Sequence, residues 1–420
     1  MTDFISEIHW RGLLHQRTAQ SELDSHLRTP GRVAYAGFDP TSDSLTIGNF
    51  IPLKLLIHWQ QAGHTPIILM GGGTGLIGDP SGRSAERSLM SAEQVFANVA
   101  SQKKIMERLI DFDPKRPNHA IILNNADWLT QLSYIDVLRD VGKHFSVNEM
   151  IARDSVRKRL DSEQGISYTE FSYMLLQAYD FLHLRKRSNC TVQLGGSDQF
   201  GNIVSGLDLI RRENLGDSFG VTAPLISRSD GRKMSKSEGT AIWLSSNTEQ
   251  RTSPWAFYQF WINLPDADVI QWMKWFTLFP QDHVNDLAHR HAAAPHLREA
   301  QKQLAAEMTR FVHGPDVLHR VQSASDALFS GGDLRAIEPS LLEDVFADVP
   351  HTSHARLQLD GEGVALADLL PQTSLASSKR EAREFLSNGA VAVNGNKASA
   401  DHRLTAADLL AGRTILLRRG

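Results

Sequence analysis

Two lysines three residues apart, Lys233 and Lys236, stand in Ser229-Asp230-Gly231-Arg232-Lys233-Met234-Ser235-Lys236-Ser237-Glu238-Gly239, between glycine hinges. Cations so spaced suit a loop that closes over a polyphosphate and neutralises charge on a departing group. A second segment, Asp39-Pro40-Thr41-Ser42-Asp43-Ser44-Leu45-Thr46-Ile47-Gly48-Asn49, sets hydroxyls and a glycine where a helix should begin. Unpaired N–H groups and the helix dipole favour phosphate there, and Gly48 would let a flat base or ribose lie against the backbone. An ordinary N-cap by Thr or Ser accounts for the same residues. A third segment, Gly71-Gly72-Gly73-Thr74-Gly75-Leu76-Ile77-Gly78-Asp79-Pro80-Ser81-Gly82, formally matches a dinucleotide fingerprint. Pro80 and Gly82 would break the helix such a site needs, and no Gly-Lys-Ser/Thr follows to make a phosphate loop. Its glycines mark close backbone approach and leave Asp79 as a fixed carboxylate near a strand end.

These segments need a scaffold that gathers them, and the hydrophobic pattern supplies one. A β-type run from Arg32 to Phe38 leads through the polar turn into an apolar-periodic stretch carrying Phe50, Leu53, Leu56 and Ile57. Further compact apolar runs, Pro66 to Met70, Ala120 to Leu123 and Thr191 to Leu194, precede the glycine turn, Asn124-Asn125 and Gly195-Gly196. Strands alternating with helical segments imply an α/β fold with a Rossmann-like parallel sheet covered by helices, whose ligands collect beyond the strands' carboxyl ends. Residues 1–245 form this expected catalytic domain. From 246 to 345 the pattern turns helical and aromatic, with Trp255, Phe257, Tyr258, Trp261, Trp272 and Phe276 reading as core more readily than as base-stacking groups. Residues 346–362 read as a linker and 363–420 as a small α+β domain, with a helix around Ser377 to Asn388, a strand around Ala390 to Asn394 and a closing strand around Thr414 to Leu417.

The 420 residues carry 41% hydrophobic and 22% charged side chains, which excludes wholesale disorder and fibrous repeats. Lys plus Arg number 44 against 48 Asp plus Glu, a net of −4, so no uniform basic coat for nucleic acid exists. The tail differs: residues 371–420 hold eight Lys or Arg against four Asp or Glu, +4, leaving −8 elsewhere. The clusters Arg157-Lys158-Arg159 and Arg185-Lys186-Arg187 suit RNA contact and plain surface equally well. Cys190 stands alone, ruling out an internal disulfide, and reads as a small buried side chain. The N-terminus lacks the basic start and apolar run of a signal peptide, and no long apolar stretch occurs, so a cytoplasmic location and no membrane contact are expected.

Taken together, the motifs carry a resemblance. Thr46-Ile47-Gly48-Asn49 resembles the "HIGH" motif of class I aminoacyl-tRNA synthetases, and Lys233 to Ser237 matches their "KMSKS" loop in full. Within that class, Tyr35-Ala36-Gly37-Phe38-Asp39-Pro40-Thr41, Gly75 to Gly82, Tyr173-Met174-Leu175-Leu176-Gln177-Ala178-Tyr179-Asp180 and Gly195-Gly196-Ser197-Asp198-Gln199-Phe200-Gly201-Asn202 resemble bacterial tyrosyl-tRNA synthetases, in the right order, from about residue 30 onward. Residues Ser377 to Gly395 resemble a small RNA-binding module found at such C-termini and in a ribosomal protein.

The resemblance implies a ligase that activates L-tyrosine with ATP and transfers it to tRNA(Tyr), as a homodimer, with Mg2+ arriving on the ATP and neither a dedicated metal site nor a tightly bound cofactor. It implies that Tyr35 and Asp180 bind the phenolic hydroxyl, that Asp79, Tyr173 and Gln177 hold the ammonium group, and that Gln199 lies near the reacting carboxylate. Gly37, Asp39, Gly196 and Asp198 fall on the nucleotide side. Thr41, Thr46, Gly48, Asn49, Arg83, Arg87, Lys233 and Lys236 are the candidates around the phosphates, and Lys379, Arg380 and Arg383 those for RNA. Thr46 stands where the motif's first histidine belongs, and threonine cannot carry positive charge. Two other functions fit the same pattern: a synthetase-fold RNA-binding or splicing-type protein without ligase activity, and a ligase for a related aromatic amino acid such as tryptophan.

Overall fold

A computed structural model describes residues 3–81, 88–163, 165–226, 241–329, 334–346 and 349–420. Its chain forms two compact units, one of 1–252 with 261–308 and one of 253–260 with 309–420. The first is built on a six-stranded sheet in the order β1-β6-β5-β2-β3-β4, with β1 Gln16–Arg17, β2 Val33–Phe38, β3 Thr65–Met70, β4 Ile121–Asn124, β5 Cys190–Gly196 and β6 Phe219–Ala223. All neighbours run parallel except β1, which pairs antiparallel with β6. The expected parallel sheet is present. β1 and β6 escape a pattern search because one has two residues and the other lacks the flanking glycine pair that marks β5.

Chain order sets the site. From β2 the chain steps to β3 and β4 on one side, and only later to β5 and β6 on the other, so the direction reverses between β2 and β5. Such switch points open a crevice beyond the carboxyl ends, here Phe38-Asp39 and Gly196-Ser197. β3 and β5 are buried almost end to end, as parallel strands covered on two faces must be. The helix Ile47–Gln61 follows β2 and packs on β2, β3 and β5, while the helices Tyr168–Ser188 and Phe200–Arg212 pack on each other and on β5. Cys190 is fully buried in this core, and burial pushes its thiol up to about 12, which disfavours the thiolate at neutral pH. The aromatics of the helical stretch are core: Trp261, Trp272 and Phe276 are all but inaccessible and meet edge-on or tilted at 5.0 to 6.0 Å.

In the second unit the tail packs Leu366, Leu370, Ala382, Leu386, Val391 and Leu404 into a core of its own. A three-stranded sheet, β11-β8-β9, joins Leu417–Arg419 to Val391–Val393 and Asn396–Lys397, and Val364–Ala365 (β7) pairs with Arg403–Leu404 (β10). The closing strand therefore starts at Leu417 rather than Thr414, because Thr414 bridges back to Leu410 and belongs to a turn.

Candidate active site

Two hydrogen-bonded networks flank the crevice. The first begins at Asp39, just past β2, whose carboxylate accepts from the Thr74 hydroxyl at 2.8 Å and the Tyr173 hydroxyl at 3.0 Å. Thr74 accepts in turn from Asn125 Nδ2 at 3.0 Å, and the same amide donates to Asp180 Oδ2 at 2.8 Å. Trp128 Nε1 donates to the other Asp180 oxygen at 2.7 Å. A continuous polar line thus joins Asp39 to Asp180. Asn125 also takes the Gly73 N–H at 2.7 Å on its carbonyl oxygen, and Asn124 takes that of Gly72 at 3.1 Å. This explains the glycine turn: a Cβ on Gly71 would strike the Asp39 carboxylate, and one on Gly72 would strike Asn124.

Asp180 is 2% exposed, and burial pushes its carboxyl up to about 7 against the pull of Asn125 and Trp128. Tyr35, on β2, is 1% exposed and its hydroxyl has no hydrogen-bond partner among the described residues. Burial and the Asp180 charge hold that phenol well above its ordinary value, so it stays protonated. Buried polar groups are satisfied in most proteins. An orphaned hydroxyl close enough to feel the charge of a buried carboxylate makes this pair a candidate place for a polar ligand.

The second network centres on Asp79, which accepts the Ser81 N–H at 2.8 Å and Gln199 Nε2 at 2.6 Å. Gln177 donates to Gln199 Oε1 at 3.2 Å and accepts from Asn202 at 3.1 Å. Gln199 also reaches Asp198 at 3.2 Å. Burial raises the Asp198 carboxyl, and burial with the Asp39 and Asp79 charges holds the Tyr173 phenol well up. Gly37 is exposed, with nothing within 4 Å of where a side chain would begin, so a flat group can approach the backbone there. Gly196, by contrast, is crowded by Asp198.

At the helix start Thr46 is the N-cap of Ile47–Gln61 and Gly48 its second residue. Thr46 Oγ1 accepts the Asn49 N–H at 3.4 Å and donates to Asn49 Oδ1 at 2.8 Å, while the Thr46 N–H also meets that oxygen at 3.2 Å. The pair forms a closed capping box, so the Thr46 hydroxyl is already occupied. The Thr41 N–H turns back to Asp39 O at 2.9 Å. Backbone bonds from Ile47 N to Ile242 O at 3.0 Å and from Leu244 N to Leu45 O at 2.8 Å fasten the segment that follows the lysine motif onto this helix start. Lys233, Lys236, Arg83 and Arg87 lie outside the described residues.

The basic clusters sort differently from their look in sequence. Arg159 is buried and ion-paired with the equally buried Glu170 at 2.8 Å, so it is no surface contact. Lys186 pairs with Glu213 at 2.8 Å, and Arg185 donates to Leu215 O at 2.7 Å. In the tail, Arg380 and Arg383 are exposed on the helix Lys379–Ser387, whereas Lys379 is tied to Asp368 at 2.8 Å.

Residues 29–330 match the family model of class I tRNA synthetases (W and Y), and residues 342–420 that of the tyrosine–tRNA ligase SYY-like C-terminal domain. The tyrosine–tRNA ligase of Roseiflexus castenholzii is 47% identical over 422 residues, covering 100% of this chain and 98% of its own. That of Staphylococcus saprophyticus is 45% identical over 418 residues, covering 99% and 96%. This chain belongs to the tyrosyl-tRNA synthetase family of class I. The C-terminally truncated mitochondrial tyrosyl-tRNA synthetase of Coccidioides posadasii superposes with a TM-score of 0.68 at 30% identity, over 77% of this chain and 92% of its own. A tryptophanyl-tRNA synthetase from Plasmodium falciparum, at 14% identity and a TM-score of 0.54, shares the fold alone. Membership gives the chain its substrates as a class, an amino acid and ATP. The residues that sequence reasoning passed over, Thr74, Asn125 and Trp128, carried one signal: Asn124-Asn125 stands at a strand end in the same way as Asp39.

Proposed function

We propose that the chain joins L-tyrosine to tRNA(Tyr) in two steps, using the crevice between β2 and β5. The observation that carries this reading is the Tyr35–Asp180 pair. A phenolic O–H entering the pocket donates to the Asp180 carboxylate and accepts from the Tyr35 hydroxyl, so both buried groups are satisfied at once. Phenylalanine would leave the Tyr35 hydroxyl without a partner and bring the Asp180 carboxylate no donor beyond Asn125 and Trp128, and an indole has no hydroxyl to offer. Asn125 and Trp128 keep the carboxylate aimed. The substrate's ammonium group is held by Asp79, Tyr173 and Gln177, and Gln199 holds its carboxylate end.

In the first step a tyrosine carboxylate oxygen attacks the α-phosphorus of ATP, the bond to the β-phosphate oxygen breaks, and pyrophosphate leaves. No side chain need act as nucleophile or base, so the protein contributes orientation and charge. Asp198, accepting from a ribose hydroxyl, and Asp39, with Gly37 and Gly196, form the nucleoside side. Thr41, the N–H groups around Gly48, Arg83, Arg87, Lys233 and Lys236 meet the phosphates. Mg2+ enters on those phosphates as part of the substrate, and no tightly bound cofactor takes part. Thr46 and Asn49 hold the helix start through their box and act on the phosphates only through the backbone they fix. In the second step a terminal ribose hydroxyl of tRNA attacks the acyl carbonyl and AMP leaves.

Arg380 and Arg383 give the tail its backbone attraction for tRNA, with Lys379 held back by Asp368. A second copy of the chain covers the exposed Tyr134, Ile135, Leu138, Val147, Ile151, Leu160 and Tyr168, too many large apolar side chains for one solvated stretch. No helix among the described residues is long and apolar enough to cross a membrane, and the reading places the chain in the cytoplasm. Asp180→Ala tests the reading: tyrosine-dependent exchange of pyrophosphate into ATP is abolished while the variant still melts cooperatively. Unchanged exchange kinetics would remove Asp180 from the site.

A further inference from the structure

Behind the site, the helix Ile47–Gln61 carries a fully buried lysine in its third turn. Lys54 is 0% exposed and donates to the Thr277 carbonyl oxygen at 3.1 Å. That carbonyl lies just past the helix Asp266–Phe276, where the last turn leaves carbonyls without helical partners. Arg11, 2% exposed, grips the same place: its Nη1 donates to Lys274 O and Thr277 O, each at 3.0 Å, and its Nη2 to Phe279 O at 2.8 Å. The helix answers, with Gln271 Nε2 donating to Arg11 O at 2.9 Å and Trp275 Nε1 to Gly12 O at 3.2 Å. One turn before Lys54, Phe50 stacks flat on Phe276, ring centroids 6.1 Å apart. Glu7 completes the cluster with an ion pair to Arg11 at 2.7 Å.

As a stabilising device the lysine is a poor choice. Burial and the neighbouring Arg11 charge disfavour its protonated form against the weaker pull of Glu307 and Glu7, and Thr277 O also accepts from Arg11. An apolar side chain of like size would shed the cost of burying that charge and lose only one of the two bonds that Thr277 O accepts. What the lysine adds is direction. It ties the helix that presents Thr46, Gly48 and Asn49 to a fixed point two turns further along, about 10 Å from the first helical residue at 1.5 Å per residue. A misplacement of about 1 Å at reacting groups lowers rates by about 100-fold.

We propose that Lys54, with Arg11, is a positioning residue for adenylate formation. By holding the C-terminal carbonyls of the Asp266–Phe276 helix, it sets where the N-terminal amides of the Ile47–Gln61 helix meet the nucleotide. This rests on the reading above that those amides receive ATP.

The test compares Lys54→Met with Lys54→Gln, which keeps an N–H one bond shorter, in tyrosine-dependent pyrophosphate exchange with thermal melts alongside. Lys54→Met loses at least 10-fold in kcat/KM for ATP while KM for tyrosine stays within twofold and the melt stays cooperative. Lys54→Gln recovers to within threefold of the parent. A merely structural lysine would instead lose Tm, tyrosine affinity and ATP turnover together, and that result overturns the proposal. So does Lys54→Met within threefold of the parent, or Lys54→Gln as impaired as Lys54→Met. Should Lys54→Met give no cooperative melt, Arg11→Lys must show the same ATP-selective loss, and its absence counts against the proposal equally. In either of these cases tyrosine-dependent exchange by the parent leaves the ligase reading standing; no exchange by the parent overturns both.

Discussion

Removing the indole N–H of Trp128 isolates one contribution to tyrosine recognition. Trp128→Phe keeps an aromatic ring stacked on His183, where the centroids lie 4.3 Å apart, and deletes the 2.7 Å donor to Asp180. Asp180 titrates at about 7 because burial outweighs its two donors. A hydrogen bond to a charged group contributes about 1.5–3 kcal/mol, so its loss raises that value by about 1–2 pH units, at about 1.4 kcal/mol each. The ionised carboxylate is the form that accepts the phenolic proton, so a raised value removes the competent form. At pH 7.5 the ionised share falls from about three quarters to about 3–25%, and kcat/KM for tyrosine falls about 3- to 25-fold. The assay is pyrophosphate exchange across pH 6 to 9 under kcat/KM conditions. The parent's acid limb turns near 7, the variant's one to two units higher, and the deficit shrinks toward pH 9. An acid limb that does not move, or a deficit of equal size at every pH, refutes the assignment of Asp180 as the acceptor.

Three further outcomes follow from the geometry. Thr46→Ala opens the capping box and lowers stability by about 1 kcal/mol, read as a lower melting temperature; an unchanged melt would show that the box contributes nothing. Arg380→Ala with Arg383→Ala weakens tRNA binding and reduces the slope of log affinity against log salt by about 2, while leaving exchange without tRNA unchanged; an unaltered slope would take these arginines off the RNA. Ile135→Glu with Ile151→Glu yields a monomer by light scattering, and a dimer surviving both would move the interface elsewhere.

Strand ends announced themselves. Asp39, Asn124 and Gly196 each follow a compact apolar run, and each stands at the crevice because a parallel sheet brings carboxyl ends together. The proposed pairing of Tyr35 with Asp180 rests on resemblance, since they lie 145 positions apart and no spacing rule joins them. What stayed hidden depends on partners distant in sequence. Asn125 and Trp128 gain their roles only when the Tyr168–Ser188 helix sets Asp180 against them. Arg159 looks like one more surface cation until Glu170 is seen buried against it, and Lys54 reads as a break in an apolar stripe until Thr277 O is placed over it. Thr46 invited both a phosphate contact and a cap, and the cap has its hydroxyl.

The most direct measurement of the central claim is amino-acid-dependent exchange of labelled pyrophosphate into ATP by the intact chain, with tyrosine, tryptophan and phenylalanine in parallel. Exchange should rise with tyrosine and stay at or near background with the other two, because only a phenolic hydroxyl can bond Tyr35 and Asp180 together. Exchange with tryptophan or phenylalanine at the tyrosine level, or none with tyrosine, would contradict it.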